Sequence, residues 1–392
     1  MASPPSSTRT WIVANHPKGV PTFDSNDPAA TFKLIERPLP TLEADQVLVK
    51  SLYWSNDPAQ RPAIDASVKA ERHYTAPVKL GDPMMARGLA EVVESKADKL
   101  PKGTIVQAAI GWTEYAVLNA SECSPRQPLP NGLSLTHYLG AFGGTGLTAY
   151  YGLVVVGEVK KGQRIVVSGA AGATGSMVVQ IAKNIIGASE VIGIAGSDSK
   201  CRWVESLGAD KCLNYKSPSF EQDLIDATAG FVDVYFDNVG GSILDLMLAR
   251  LKRHGVVVQC GLIADYNDMK PTVLQSKKFL QCPASVSRLR APFFFPGPFI
   301  IEAGRTDVPS IHPDYFQVIT MRLSIRGFIA SDYMSTFPET IKLLIEALKE
   351  GKLKISNEES EQVVDTKFED VPKTWLKLFD GGNTGKLVTK LV

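Results

Sequence analysis

Beyond residue 149 the chain settles into a repeating rhythm. Short runs of consecutive apolar residues alternate with longer stretches whose apolar positions recur every three or four residues. "RIVVSG", "EVIGIAGS", "KCLNY", "VDVYFDNVG" and "VVVQCG" are the apolar runs; "GSMVVQIAKNIIG", "DSKCRWVESLG" and "SILDLMLARLKRHG" are the helical stretches between them. A strand that is apolar throughout has no face for water, so the pattern predicts a doubly wound parallel sheet, covered by helices on both sides through right-handed crossovers. Between Phe32 and Ala116 the pattern changes. "FKLIERPLP", "QVLVKSLYWS", "GLAEVVESK" and "TIVQAAIGWTEYAVL" are strand-like and separated by Pro and Gly turns, which predicts a β-rich domain.

From Thr336 onward "FPETIKLLIEALKEGKL" predicts a strong helix, with Pro338 in its first turn and Gly351 at its end. "KFEDVPKTWLKLFDGGNTGKLVTKLV" then predicts a helix and a final strand. This tail is expected to return to the β-rich domain. Residues 1–148 and 337–392 are then one domain, 149–336 the other, and the fold class is α/β.

Composition narrows the function. A chain of 392 residues, 44% hydrophobic and 21% charged, can bury two substantial cores. Its net charge of +1 carries no block of one sign, which argues against nucleic acid or an anionic membrane and for a small-molecule substrate. "MASPPSSTRT" is polar with no apolar run behind it, so no secretory signal is read there and a cytoplasmic address is expected. "APFFFPGPFII" is short and broken by prolines, unlike a spanning helix. Cys123, Cys201, Cys212, Cys260 and Cys282 form no C-x-x-C pair and suit reduced thiols. The five histidines are dispersed, so no metal site is expected. No G-x-S-x-G elbow exists, which removes the usual hydrolase reading of an α/β sheet.

The chemistry concentrates in "VVSGAAGATGSMVVQIAK", Val166 to Lys183. Gly169, Gly172 and Gly175 follow an apolar run and open a helix, the setting of a dinucleotide-binding turn. Without Cβ atoms the backbone turns tightly, the pyrophosphate reaches the amides, and the helix packs closely on the strand. The helix N-terminus then offers free N–H groups to the phosphates. The spacing is G-x-x-G-x-x-G rather than G-x-G-x-x-G, and the plainer alternative is a tight turn without a ligand. At the next strand end, where NAD-preferring sites place an acidic residue, stand Gly196 and Ser197, with Lys200 one turn on. A missing carboxylate beside a cation favours the 2′-phosphate of NADP; an ordinary solvated lysine is the alternative.

A hydride carrier without metal or nucleophile must reduce a group that is already electrophilic, such as a conjugated enone or enal. Charge then builds on the carbonyl oxygen, where one placed hydroxyl is worth about 3 kcal/mol. Tyr266, just past "VVVQCG", stands at the carboxyl end of a sheet strand, where ligands of such sheets sit. Its alternative is a loop tyrosine packing over the cofactor.

Taken together, "LPKGTIV", "GWTEYAVL", "GGTGLTAYYGL", "GAAGATGSMVVQIAK", "GSDSK", "LNYK", "YFDNVGG", "CGLIADYN", "RGFIASDY", "LKEGKLK" and "GGNTGKLV" resemble the zinc-independent medium-chain reductases. These include prostaglandin reductase, leukotriene B4 dehydrogenase and the plant alkenal double-bond reductases. "NDPAQR" is similar to fungal members, often described as zinc-type or quinone-type oxidoreductases and sometimes found in secondary-metabolite pathways. The resemblance runs from about Phe32 onward. It implies a GroES-like substrate domain, a Rossmann-type domain binding NADP(H), and a homodimer. Carried onto this chain, the cofactor contacts fall on Ala171, Gly172, Ala173 and Thr174, on Lys200 and Tyr215 around the 2′-phosphate, and on Asn238. Cys260, Gly261 and Tyr266, with Phe328, Ile329 and Ala330, would line the nicotinamide, and Asn383 would reach in from the tail. Tyr266 matches the tyrosine assigned to the carbonyl oxygen.

Departures bear on the substrate. "YWSNDPAQR" and "RGLAEVVE" lack the catalytic Cys and G-H-E signature of zinc-dependent relatives. Animal and plant double-bond reductases carry a tyrosine where Ala59 stands, so the pocket around Tyr53 and Ala59 is differently shaped. Residues 276–313 are an extra stretch rich in Pro, Phe and Arg, read either as a lid or dimer-edge segment or as a retained intron in the gene model. Three functions compete: reduction of conjugated C=C bonds, alcohol/carbonyl or quinone oxidoreduction, and non-catalytic NADPH binding.

Overall fold

The structure, a computed structural model, describes residues 5–67, 70–267 and 315–392. The extra stretch 276–313 and Cys282 lie outside the described residues. The N-terminal part forms seven strands: β1 Ser7–Val13, β2 Phe32–Pro38, β3 Gln46–Ser55, β4 Arg87–Ser95, β5 Ile105–Ala109, β6 Tyr115–Asn119 and β7 Ser124–Pro125. β1 falls in what reads from sequence as a polar tail. It pairs antiparallel with β2 from Ser7↔Pro38 to Val13↔Phe32. Its buried Thr8 and Thr10 are tolerated because both hydroxyls meet that of Thr113, at 3.1 and 3.0 Å. The run expected as one strand around "TIVQAAIGWTEYAVL" is two, β5 and β6, broken near Gly111, which turns at φ +72.

Then come α1 Gly144–Tyr151, β8 Arg164–Val167, α2 Ala173–Gln180, β9 Glu190–Ala195, α3 Asp198–Ser206, β10 Lys211–Asn214, α4 Phe220–Ala227, β11 Val232–Asp237, α5 Gly241–Leu248 and β12 Leu251–Gln259. After residue 314 follow α6 Gln317–Thr320, β13 Ser324–Gly327, α7 Phe337–Lys349, β14 Glu361–Thr366, α8 Val371–Leu376 and β15 Lys386–Leu391.

The six strands β8 to β13 form one sheet in the order β10-β9-β8-β11-β12-β13, paired in parallel. Counted within the sheet this is 3-2-1-4-5-6, the dinucleotide-binding order, whose crevice opens where the order reverses, between β8 and β11. Ile165, Val167, Val191 and Phe236 belong to one apolar cluster and Val166, Ile192, Ile194 and Tyr235 to another. Alternate residues feed opposite faces, and both faces are buried.

One element differs in type from expectation. "ARLKRHG" reads as the end of a helix, yet α5 stops at Leu248 and Leu251–His254 already belong to β12. Leu251 is buried opposite Val232, and the strand passes His254 at φ +65 where the register shifts. Sheet pairing overrides the helical pattern there.

The remaining sheet has the order β14-β15-β3-β4-β5-β7, with β6 also on β3. The C-terminal β15 lies antiparallel to β3, Val388 opposite Ser55. Trp11, Phe32, Trp54, Trp112, Phe368 and Trp375 fill the core beside it.

Candidate functional site

The three glycines play three different parts. Gly169 adopts φ +58, which favours a residue without Cβ. Gly172 is the N-cap of α2 and supplies no side chain to cap the helix, so the first-turn amides face outward uncapped. A Cβ on Gly175 would stand 2.2 Å from Gly169 O, so only glycine lets α2 lie this close to the turn. The tail closes over it: Gly385 N donates to Ala171 O at 2.9 Å, and Gly172 bridges to Gly385. "GGNTG" is therefore a strap across the turn, and it carries Asn383 there.

Lys200 faces the same strap. Its Nζ donates to Gly381 O at 2.8 Å and Asn383 O at 2.6 Å. Burial, with the neighbouring Lys216 cation, lowers its ammonium below the ordinary value. The Tyr215 ring covers Gly196, where a Cβ would stand 3.0 Å from it, and the Lys216 ammonium lies 5.8 Å from the ring centroid. Asp198, the nearby carboxylate in sequence, is taken by Asn214 Nδ2 at 2.8 Å. Past the ends of β9 and β10, Lys200 and Lys216 thus stand close enough for the second cation to act on the first, and Ser197 caps α3 by accepting from Lys200 N. Lys216 was missed in the sequence, though it repeats the Lys200 signal one strand later.

At the switch point β8 and β11 are tied by a buried carboxylate. Asp237 accepts from Ser168 Oγ and Tyr235 OH, both at 2.8 Å, from Val239 N and Gly240 N at 3.0 Å, and from Gln259 Nε2 at 3.0 Å. Asn238 is locked beside it, donating through Nδ2 to Ser168 O at 2.7 Å. Gly261 passes so close that a Cβ would lie 3.0 Å from Asn238 O. Burial, with the Asp237 charge, pushes the Cys260 thiol up to about 12, so it is no nucleophile near neutral pH. Nothing in the sequence marked Asp237, because its role depends on donors from three strands.

Tyr266 lies in the loop after β12. Its hydroxyl accepts from Leu262 N at 3.4 Å, and burial raises its phenol above the ordinary value. Opposite stands Tyr74, a residue without any sequence signal. Its hydroxyl donates to Ala59 O at 3.4 Å, and its phenol is pushed up to about 12 by desolvation, with Tyr266 and Asp57 close enough to add. A second phenol therefore reaches the Ala59 wall from another segment. Tyr53 packs elsewhere, with Leu89, Leu139 and Val388. Phe328 turns its ring inward, against Phe236 at 6.5 Å and over Gly152.

Two family models match: an N-terminal domain of oxidoreductases over residues 9–125, and a zinc-binding dehydrogenase domain over 173–287. Among the described residues, no three His, Cys, Asp or Glu side chains group to hold a metal. Mouse prostaglandin reductase 1 is 33% identical over 97% of this chain and 98% of its own. The NADP(+)-dependent 2-alkenal reductase of Nicotiana tabacum is 32% identical over 88% and 87%. The solved structure of CurA from Vibrio vulnificus in complex with NADPH superposes with a TM-score of 0.77 at 29% identity, covering 98% of this chain and 99% of that one. Parallel sheet, glycine turn and relatives define an oxidoreductase with a dinucleotide-binding sheet. The chain belongs to the zinc-independent branch of the medium-chain dehydrogenase/reductase family.

Proposed function

We propose that the protein reduces the conjugated C=C bond of an enal or enone, with NADPH as reductant. The glycine turn of residues 169–175 fits a pyrophosphate, and Lys200, Tyr215 and Lys216 suit a 2′-phosphate. Asn238, Gly261, the backbone of residues 328–330 and Asn383 would hold the nicotinamide side. When bound, NADPH supplies the hydride that reaches the β-carbon. Residues 149–336 carry the cofactor in this reading, and residues 1–148 with 337–392 carry the substrate side.

The observation that supports it most directly is the Tyr266 hydroxyl, which among the described residues makes one long hydrogen bond, to Leu262 N of its own loop at 3.4 Å. Such a hydroxyl is free to donate to a carbonyl oxygen as charge gathers on it. Tyr74, whose phenol lies close enough to Tyr266 to be shifted by it and which donates to Ala59 O at 3.4 Å, would limit how the substrate lies. The family likeness implies a homodimer; no helix among the described residues is long and apolar enough to cross a membrane.

The test is NADPH oxidation against 2-alkenals, enones, quinones and saturated aldehydes. Turnover confined to conjugated substrates is expected; turnover of saturated aldehydes, or of none, refutes the reading. Tyr266→Phe should lower kcat about tenfold or more with NADPH affinity unchanged, and an unchanged kcat returns Tyr266 to packing.

A further inference from the structure

We propose that Arg61 is the positioning residue for the Tyr266 hydroxyl, acting through Asn267; the inference rests on the reading of Tyr266 given above.

Arg61 stands between two 3₁₀ turns, Pro58–Gln60 and Pro62–Ile64, each begun by a proline. Its backbone is held in place. Asp57 N donates to Gln60 Oε1 at 2.8 Å, and Gln60 Nε2 donates to Met85 O at 2.6 Å. The side chain then runs into the interior, where it is 0% exposed. A guanidinium keeps its charge when buried, so it must be met by acceptors.

Three segments meet it. Arg61 Nε donates to Asn267 Oδ1 at 3.1 Å, one terminal nitrogen donates to Gly19 O at 3.0 Å, and the other lies 3.5 Å from Asp65 Oδ2. Burial lowers the guanidinium below its ordinary value, and the Asp65 charge opposes that shift. Asp65 secures the cation, and Gly19 and Asn267 receive its fork.

Asn267 immediately follows Tyr266. The loop that carries both residues is pinned at its start, Ala264 N donating to Val239 O at 3.1 Å and Asp265 N to Leu262 O at 2.9 Å. Among the hydrogen bonds of the described residues, Arg61 supplies the one on the Asn267 side chain. It therefore joins the turn carrying Ala59 to the loop carrying Tyr266, the two walls between which a substrate would lie. A planar fork can hold three acceptors at fixed angles; a lysine ammonium cannot. Misplacing a donating hydroxyl by a fraction of an ångström weakens its bond in the transition state without touching the nucleotide.

The experiment uses the full chain with NADPH and trans-2-nonenal. Arg61 itself is a poor first target, because its loss strands buried Asp65. Asn267→Leu removes the acceptor at similar volume, and Asn267→Asp keeps it. Expected are a kcat about tenfold lower for Asn267→Leu with KM for NADPH unchanged, recovery to within about threefold in Asn267→Asp, and less than about a twofold further loss when Asn267→Leu is added to Tyr266→Phe. A full additional loss in the Tyr266→Phe background overturns the proposal, since the side chain then acts independently of the phenol. If Tyr266→Phe lowers kcat and Asn267→Leu does not, the Arg61 inference alone fails. If Tyr266→Phe leaves kcat unchanged, the role of Tyr266 fails and this inference with it.

Discussion

Replacing Gly175 by alanine tests the nucleotide-binding turn directly. The added Cβ would lie 2.2 Å from Gly169 O and 2.8 Å from both the Gly169 carbonyl carbon and Ala170 Cα. Carbon atoms rest at about 3.5–4.0 Å, and all three neighbours are backbone, so no side chain can swing away and α2 must retreat by about 1 Å. Overpacking of this kind costs about 1–3 kcal/mol, which in a chain of this size lowers Tm by about 2–4 °C per kcal/mol. The same retreat draws the uncapped amides of α2 away from the phosphates, so the Kd for NADPH should rise about tenfold or more, each decade being about 1.4 kcal/mol. The assay is a thermal melt with and without NADPH, paired with a fluorescence titration. Gly144→Ala is the control: a Cβ there meets nothing within 4 Å at the start of α1, so it should be neutral or slightly stabilising. A Gly175→Ala protein with wild-type Tm and a Kd within about twofold would refute the argument.

Lys200→Ala should raise the KM for NADPH by about 10–100-fold and leave that for NADH nearly unchanged, because a charged contact to the 2′-phosphate is worth about 1.5–3 kcal/mol; equal effects on both coenzymes would return Lys200 to holding the strap alone. Stability should depend on pH through Glu361. Its carboxyl is buried beside Thr136 and His137, and burial pushes it up to about 7. A carboxyl raised on folding binds more protons in the native state, so its contribution is present at low pH and lost as pH rises from about 4.5 to 7. His137, lowered by burial, acts in the opposite sense, losing stability as pH falls below its ordinary range. Glu361→Gln should therefore gain on the wild type between pH 5 and pH 8 by at most about 3 kcal/mol in urea denaturation; a gap that stays constant with pH would exclude the carboxyl as the source.

Local chemistry carried much of this protein into view. Apolar runs such as "VVVQ" predict buried strands wherever they lie, because no partner is needed to know that both faces avoid water. Gly169, Gly172 and Gly175 announce a backbone that needs room, which is a property of those residues alone. Gly196 and Ser197 standing at the end of β9 in place of a carboxylate is equally local, and so is Tyr266 beyond β12. Elements whose state depends on a partner were not legible. β1 looked polar until Thr113 supplied hydroxyls for Thr8 and Thr10, and "LKRH" looked helical until β11 offered Leu251 a ladder. Tyr74, Asp237 and Arg61 gain their places from groups far along the chain: Ala59 and Tyr266, the ends of β8 and β12, and Gly19 with Asn267. A residue's propensity and spacing are written into the chain one position at a time, whereas a hydrogen bond between distant segments exists only after the fold has brought them together.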